Sequence, residues 1–451
     1  MTDQNSDSAT LIPSWDRVVR IFRLGLPIMA GMSTYVFLEL IDLLFVGRLG
    51  TTALAAVGIS VFVTFLYLAA FGGVSIAVQA TTSRLVGEGE TEDLGRFLRT
   101  ALVIVLVVVP PTALLGVWFA GDVLALMSDD PEVVETGTAY LAWMLGGSIF
   151  FALINAFMGF WNATERANLY LRVIVVEALL NVPLNYIFMF GLDPIPAFGV
   201  TGAGIGTFIA AGFGAGYHLV LALKHAEGFQ RGAVREHLPV VIRLMVPAGM
   251  QQFMDSLALT LMFRIVAFVG TVEVAAYSVL VNMISAVGMP AWGLGLAGAT
   301  LVGQAMGAKD MDDASRWAWD VVKIGTLAMV VLGAPFWLFP EVILSVFITE
   351  PDALAAAVLP CRILGIMIGI NGLGYLFASM LNGAGDVKRV MYVNLATQYL
   401  VLLPGAYFFG VYAGFGLIGI WLVHQLGFRA LNSVVLTTLW QQKRWQKVEL
   451  W

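Results

Sequence analysis

The residues with the clearest chemical potential lie inside long apolar segments. The first of these reads LPIMAGMSTYVFLELIDLLFVGRLG, and in it Glu39 and Asp42 are three residues apart, with Tyr35 one turn before Glu39. In a helix that spacing puts both carboxylates on one face. An ionised acid at the centre of a bilayer costs roughly 2.5–3.5 kcal/mol on insertion scales. Two on one face need a cavity, a cation or a shared proton, which makes the pair a candidate proton carrier. The alternative is that one acid sits at the membrane interface and is simply hydrated. A second segment, VIVVEALLNVPLNYIFMFG, spaces Glu177, Asn181 and Asn185 four residues apart, forming one polar stripe. Pro183 within it removes a backbone hydrogen bond and frees the carbonyl of Leu179. Amide and carbonyl oxygens are ligands for a hard cation, so Asp42, Asn181 and Asn185 could hold Na+. Hydrogen bonding between helices, a common use of Asn in membranes, accounts for the stripe equally simply. A third segment, VPAGMQQFMDSLALTLMFRIV, carries Gln251, Gln252 and Asp255 within about a turn, with Arg264 nine residues after Asp255. Neutralisation of Asp255 by another helix is as good an account as a functional role.

Other chemistries lack their residues. The sequence contains no GxxxxGK[ST], GxSxG or HExxH motif, so neither ATP-driven work nor hydrolysis by this chain is expected. Its one cysteine, Cys361, excludes an internal disulfide. The four histidines His218, His225, His237 and His424 include no pair at metal-ligand helical spacing. The expectation is a protein that is not an enzyme, with no cofactor and no nucleic-acid partner.

The elements that must position these groups follow from composition. Hydrophobic residues make up 59% of the chain and charged residues 12%, against about 45–50% and about 25% in typical globular proteins. Apolar runs reach the roughly 20 residues needed to span a bilayer. Hydropathy predicts helices near 21–46, 53–76, 97–120, 138–160, 168–191 and 200–223, and near 241–268, 275–300, 318–340, 357–381, 390–412 and 416–438. The runs are continuous and do not alternate, so they are helices and not barrel strands. Residues 1–16 are polar and show no signal-peptide core.

The basic residues orient this array. Those in the amino-terminal tail, the even-numbered loops and the carboxyl-terminal tail number 20 of the 24 Lys plus Arg, and acids dominate the opposite loops. Lys and Arg collect on the cytoplasmic side. A multi-pass protein of the inner (cytoplasmic) membrane with both termini cytoplasmic is expected.

The chain also repeats itself. At an offset of 220, Pro27 falls on Pro247, Gly50 on Gly270, Gly87 on Gly307 and Asn162 on Asn382. The expected fold is all-α and integral to the membrane, with twelve spanning helices as two six-helix lobes related by an internal repeat. Boundaries are expected at 1–20 for a tail, 21–223 for the first lobe, 224–240 for a linker, 241–440 for the second lobe and 441–451 for a second tail. Parallel repeats of this kind are a transporter plan, with a site near the midplane. Duplication kept for stability alone would give carboxylates no reason to lie inside the helices.

The segments GRLG at 47–50, NATERANLYLRV at 162–173, NVPLNYIFMFG at 181–191, VGQAMGAKD at 302–310 and LNGAGDVKR at 381–389 resemble the multidrug and toxic compound extrusion (MATE) family, over about residues 20–435. The resemblance implies a twelve-helix secondary antiporter, here taken as monomeric, that exports small organic, often cationic, compounds in exchange for protons or sodium ions. It implies that Asp42 is the ion-coupling acid of the amino-terminal lobe, accompanied by Asn181 and Asn185, and that Thr207 belongs to the same cluster. Asp255 matches an acid of the NorM-like branch, with Gln251 beside it. The second acid of that branch falls on Asn371, so the carboxylate that would complete a carboxyl-lobe sodium site is missing, and the resemblance leaves a NorM-like and a DinF-like, amino-lobe proton mechanism both open. A flippase for a lipid-linked precursor has related architecture and would want basic residues in its cavity, Arg264 being the one weighed.

Overall fold

The computed structural model describes residues 13–451 apart from 91, 93, 230–233 and 349. Residues 1–12 of the expected tail, and 230–233 of the expected linker with its Arg231, lie outside the described residues. Among the described residues, ten helices are long and apolar enough to cross a membrane. In chain order they are α1 (Trp15–Gly47), α2 (Thr51–Glu88), α3 (Leu94–Trp118), α4 (Pro131–Ala163), α5 (Ala167–Phe190), α6 (Val200–His225), α8 (Thr271–Gly307), α9 (Met311–Leu338), α10 (Pro351–Gly383) and α11 (Val387–Tyr412). Two more complete the twelve-helix transmembrane fold: α7 (Val234–Ala267), and α12, formed by Gly416–Leu422, Val423–Ala430 and Leu431–Gln441 end to end. The described residues form no strand beyond a single bridge between Leu192 and Ile195.

Local signals explain several ends. Pro131 and Pro351 open α4 and α10 at a position where a missing N–H costs nothing. The Asp130 carboxylate accepts from the Glu132 amide at 3.0 Å and that of Asp310 from the Asp313 amide at 2.8 Å, capping α4 and α9. The first helix begins at Trp15, earlier than the hydropathy predicts. Its polar first turns are held by side chains rather than lipid: the Arg17 guanidinium bonds Asp313 at 2.7 Å and Asp320 at 2.5 Å and lies 3.6 Å over the Trp317 ring.

The repeat is legible in the helix ends themselves. Gly47 and Ala267, Thr51 and Thr271, Trp118 and Leu338, Pro131 and Pro351, Ala163 and Gly383, and Ala167 and Val387 are all corresponding ends 220 residues apart. Other ends depart from that offset by a few residues, as where α3 starts at Leu94 and α9 at Met311, and where α6 starts at Val200 and α12 at Gly416. The two copies also differ within helices. α2 breaks at residues 70–72, whereas α8 is continuous. α11 and α12 contain wide π-helical stretches at Thr397–Leu402, Tyr407–Tyr412 and Val423–Ala430, while α5 and α6 are regular.

The chain falls into two compact units, residues 30–253 with Trp451, and residues 1–29 with 254–450. The divisions cut α1 shortly after Pro27 and α7 shortly after Pro247. Cores of the first unit include one around Val46, Tyr140 and Met189 and one around Leu124, Leu141 and Leu145, with Phe157, Phe160 and Trp161 also fully buried. Those of the second include one that gathers Trp317, Phe377, Trp440 and Trp445.

Candidate functional site

Within the unit of residues 30–253, α1, α5 and α6 bring Asp42, Asn181, Asn185 and Thr207 together. The Asn185 amide Nδ2 donates to Asp42 Oδ1 at 2.7 Å and to Asn181 Oδ1 at 2.9 Å, and lies 3.5 Å from Thr207 Oγ1. Asn181 Nδ2 donates to the same hydroxyl at 3.2 Å. Asn181 and Asn185 are buried, and Asp42 and Thr207 are half-buried.

The sequence builds this cluster by matching two helices. Along α5 the polar stripe of Glu177, Asn181 and Asn185 needs a facing surface without side chains, and α6 supplies it. A Cβ at Gly206 would collide with Asn185 Oδ1, and one at Gly214 would lie 2.5 Å from Glu177 Oε2. The two glycines are eight residues apart, as are Glu177 and Asn185, so the notches of α6 keep step with the stripe of α5. Small residues at such spacing allow close helix approach in membranes.

Glu177 is 4% exposed, and its Oε2 has no hydrogen-bond partner. One turn beyond Gly214, His218 is fully buried, accepts from Trp161 Nε1 at 3.1 Å and stacks between Phe157 and Tyr170. Glu39 stands apart from this network. It is exposed on α1 and makes no side-chain hydrogen bond or ion pair among the described residues.

The carboxyl-lobe candidates separate. Asp255 on α7 accepts from Gln398 Nε2 at 2.6 Å. Asn371 on α10 donates to Gln425 Oε1 at 2.5 Å. Both belong to the unit of residues 254–450, whereas Gln251 belongs to the other, half-buried with Oε1 lacking a partner. Arg264 is exposed in the last turn of α7, its guanidinium 5.0 Å from the Phe268 ring. A basic group that lines a cavity is Arg429 on α12, beside Asn371 and Tyr375. Sequence reasoning passed over it, although the signal was present. It is one of four basic residues left outside the basic loops, with Arg48, Arg264 and Arg362.

The family model described as MatE matches residues 27–187 and 247–408, one match per copy of the repeat. Over 433 residues the chain is 28% identical to the probable multidrug resistance protein NorM of Rhizobium meliloti, covering 93% of this chain and 91% of the relative. It is 24% identical over 406 residues to an FAD transporter of Shewanella oneidensis, covering 87% of this chain and 88% of that one. Among solved structures, the Vibrio cholerae MATE transporter VcmN shares its fold at a TM-score of 0.88 and 20% identity, over 96% of this chain and 98% of that one. With a family match on both halves and a shared twelve-helix fold, the chain belongs to the MatE family of membrane transporters.

Proposed function

We propose that this protein is a secondary active antiporter of the inner membrane, with both termini cytoplasmic, that exports organic, often cationic, compounds in exchange for protons. The observation that carries the reading is the Asn185 amide, whose one nitrogen serves Asp42, Asn181 and Thr207. Asp42 is thereby the acid held by a prepared hydrogen-bond network inside a spanning helix, the default mark of an ion pathway.

The same geometry supports a proton over sodium. A sodium ion would draw on the oxygens of Asp42, Asn181, Asn185 and Thr207, yet Asn185 turns its donor nitrogen inward and its oxygen towards Gly206. Binding sodium there requires that amide to reverse. Binding a proton requires no rearrangement, because a neutral carboxyl still accepts from Asn185. Charge-assisted hydrogen bonds are roughly twice as strong as neutral ones, so protonation loosens the tie between α1 and α5. In this mechanism α1 then bends at Pro27, expels the substrate outward, and resets when the proton leaves to the cytoplasm.

The test is uptake of a cationic dye into everted vesicles under an imposed proton gradient, with sodium present or omitted. Sodium-independent uptake that disappears in Asp42→Asn is the expected result. Normal uptake by that variant, correctly inserted, refutes the reading. No dye movement under either gradient would favour the flippase, for which Arg429 lines a cavity while Arg264 is exposed.

A further inference from the structure

The second unit contains a cavity of about 100 Å³ among α8, α9, α10 and α12, lined by Ser285, Gly288, Trp292, Asn371, Tyr375 and Arg429 among others. A space of that size takes several waters or one phosphate-sized group.

Arg429 differs from several other arginines of the described residues. Arg17, Arg389 and Arg362 each meet a carboxylate, at 2.5 to 4.0 Å. Among the described residues the Arg429 guanidinium makes no ion pair within 4.0 Å and no hydrogen bond, and its Nε is buried without a partner. Asp255 is the acid whose field reaches it, together with Tyr277 and His424, but Asp255 is already engaged by Gln398. A cation inside a spanning helix pairs with a counter-charge or marks a ligand path. Nearby, Gln425 Nε2 is a second buried donor without a partner. Along the wall, Trp292 and Tyr375 stack on each other with centroids 5.7 Å apart and planes at 24°, and both keep more than a third of their surface open.

We propose that this cavity is an anion subsite, in which Arg429 holds the carboxylate or phosphate of an aromatic organic anion or zwitterion whose ring lies on the Trp292–Tyr375 pair. A guanidinium offers a planar fork of donors matched to carboxylate and phosphate oxygens, and aromatic faces in offset contact recognise a planar ring. The site thus names a substrate class for the export reading and rests on it. Cations would not use this subsite.

The experiment uses the full chain in nanodiscs and two fluorescent probes, anionic fluorescein and cationic ethidium, with binding followed by anisotropy. Arg429→Gln should weaken fluorescein at least tenfold and change ethidium less than twofold, with Arg429→Lys recovering part of the loss. A second variant leaves the arginine in place. No atom lies within 4 Å of a Cβ built on Gly288, which lines the cavity, so Gly288→Leu should fill the space and weaken fluorescein equally. Unchanged fluorescein affinity in both variants overturns the proposal, as does an equal loss of both probes in proteins that unfold at the wild-type temperature. No binding of fluorescein to the wild type, with tight binding of a lipid-linked pyrophosphate that is lost in Arg429→Gln, would overturn it in favour of a lipid headgroup. Ethidium export that fails while fluorescein binding depends on Arg429 would sink the antiport reading and leave the subsite standing.

Discussion

Positions 220 residues apart occupy corresponding places in the two copies, yet they carry different chemistry. Asp42 corresponds to Met262, Asn181 to Val401, Asn185 to Gly405 and Glu177 to Thr397, while Asp255 corresponds to Tyr35. The amino-terminal copy therefore sets an acid and two amides in one stripe along α5, against the bare face of α6. The carboxyl-terminal copy spreads them over α7, α10, α11 and α12, as the Asp255–Gln398 and Asn371–Gln425 pairs and the unpaired Arg429. Backbone regularity follows the same division, with regular helices carrying the first cluster and π-helical stretches in α11 and α12 beside the second. The lesson is that the duplicated scaffold specifies where helices run and not what they hold. An acid with an amide network suits a proton, and an arginine in a cavity suits an anion.

That contrast can be broken by substitution, in descending order of expected effect. Asp42→Asn should reduce proton-driven dye uptake in everted vesicles to the level of empty membranes, since it removes the titrating group. Gly206→Val should come next. Its side chain would displace Asn185 from Asp42, at a cost of about 1–3 kcal/mol as for other overpacked interiors, and uptake should fall about tenfold. Uptake above half the wild-type rate would show that the Asn185 bond is dispensable.

Asn371→Asp sharpens the comparison from the other side. It places a carboxylate in the cavity that Arg429 lines, so it should raise the unfolding temperature by a few degrees and abolish fluorescein binding, while leaving cation export within about twofold. A new sodium requirement for export would instead place ion coupling in the second copy. The smallest effect is expected of Glu39→Gln. Glu39 is exposed and bonded to nothing described, and surface changes of this kind are usually within about 0.5 kcal/mol. Loss of coupling in that variant would make the two acids of α1 a working pair.

Much of the fold was legible because a bilayer leaves the backbone few options. Continuous apolar runs located the helices, and the common offset of Pro27 and Pro247 located the repeat. The association of Asn181 with Asn185 followed from four-residue spacing. Their meeting with Asp42 is a contact between helices that no spacing within one helix specifies. Thr207 carries no local mark, since a threonine in a glycine-rich helix reads as packing, and only the family resemblance pointed to it. Glu39 and Asp42 share a helical face only coarsely, and a rotation of about 60° over three residues at 3.6 per turn is enough to leave one towards α5 and the other exposed. Arg429 was hidden by the charge count that oriented the helices, because the residues that defy such a count are the ones it discards. The wide turns of α11 and α12 leave no trace in hydropathy, which reads composition and not hydrogen-bond register.

The bond between Asn185 and Asp42 makes the carboxyl group two-faced. Its Oδ1 already accepts from the amide, so Oδ2, with both lone pairs free of that bond, is the oxygen on which a proton settles most directly. The acid thus has an anchored oxygen and a working one, and the direction from which a proton or a competing cation reaches it is set by a side chain on another helix. Replacing Asn185 would then do more than weaken a contact. It would free the carboxyl to rotate, so that both oxygens become equivalent and arrivals from either side count alike. Under the proposed proton exchange the acid has to tell those sides apart, and a single amide on α5 would give it that handedness.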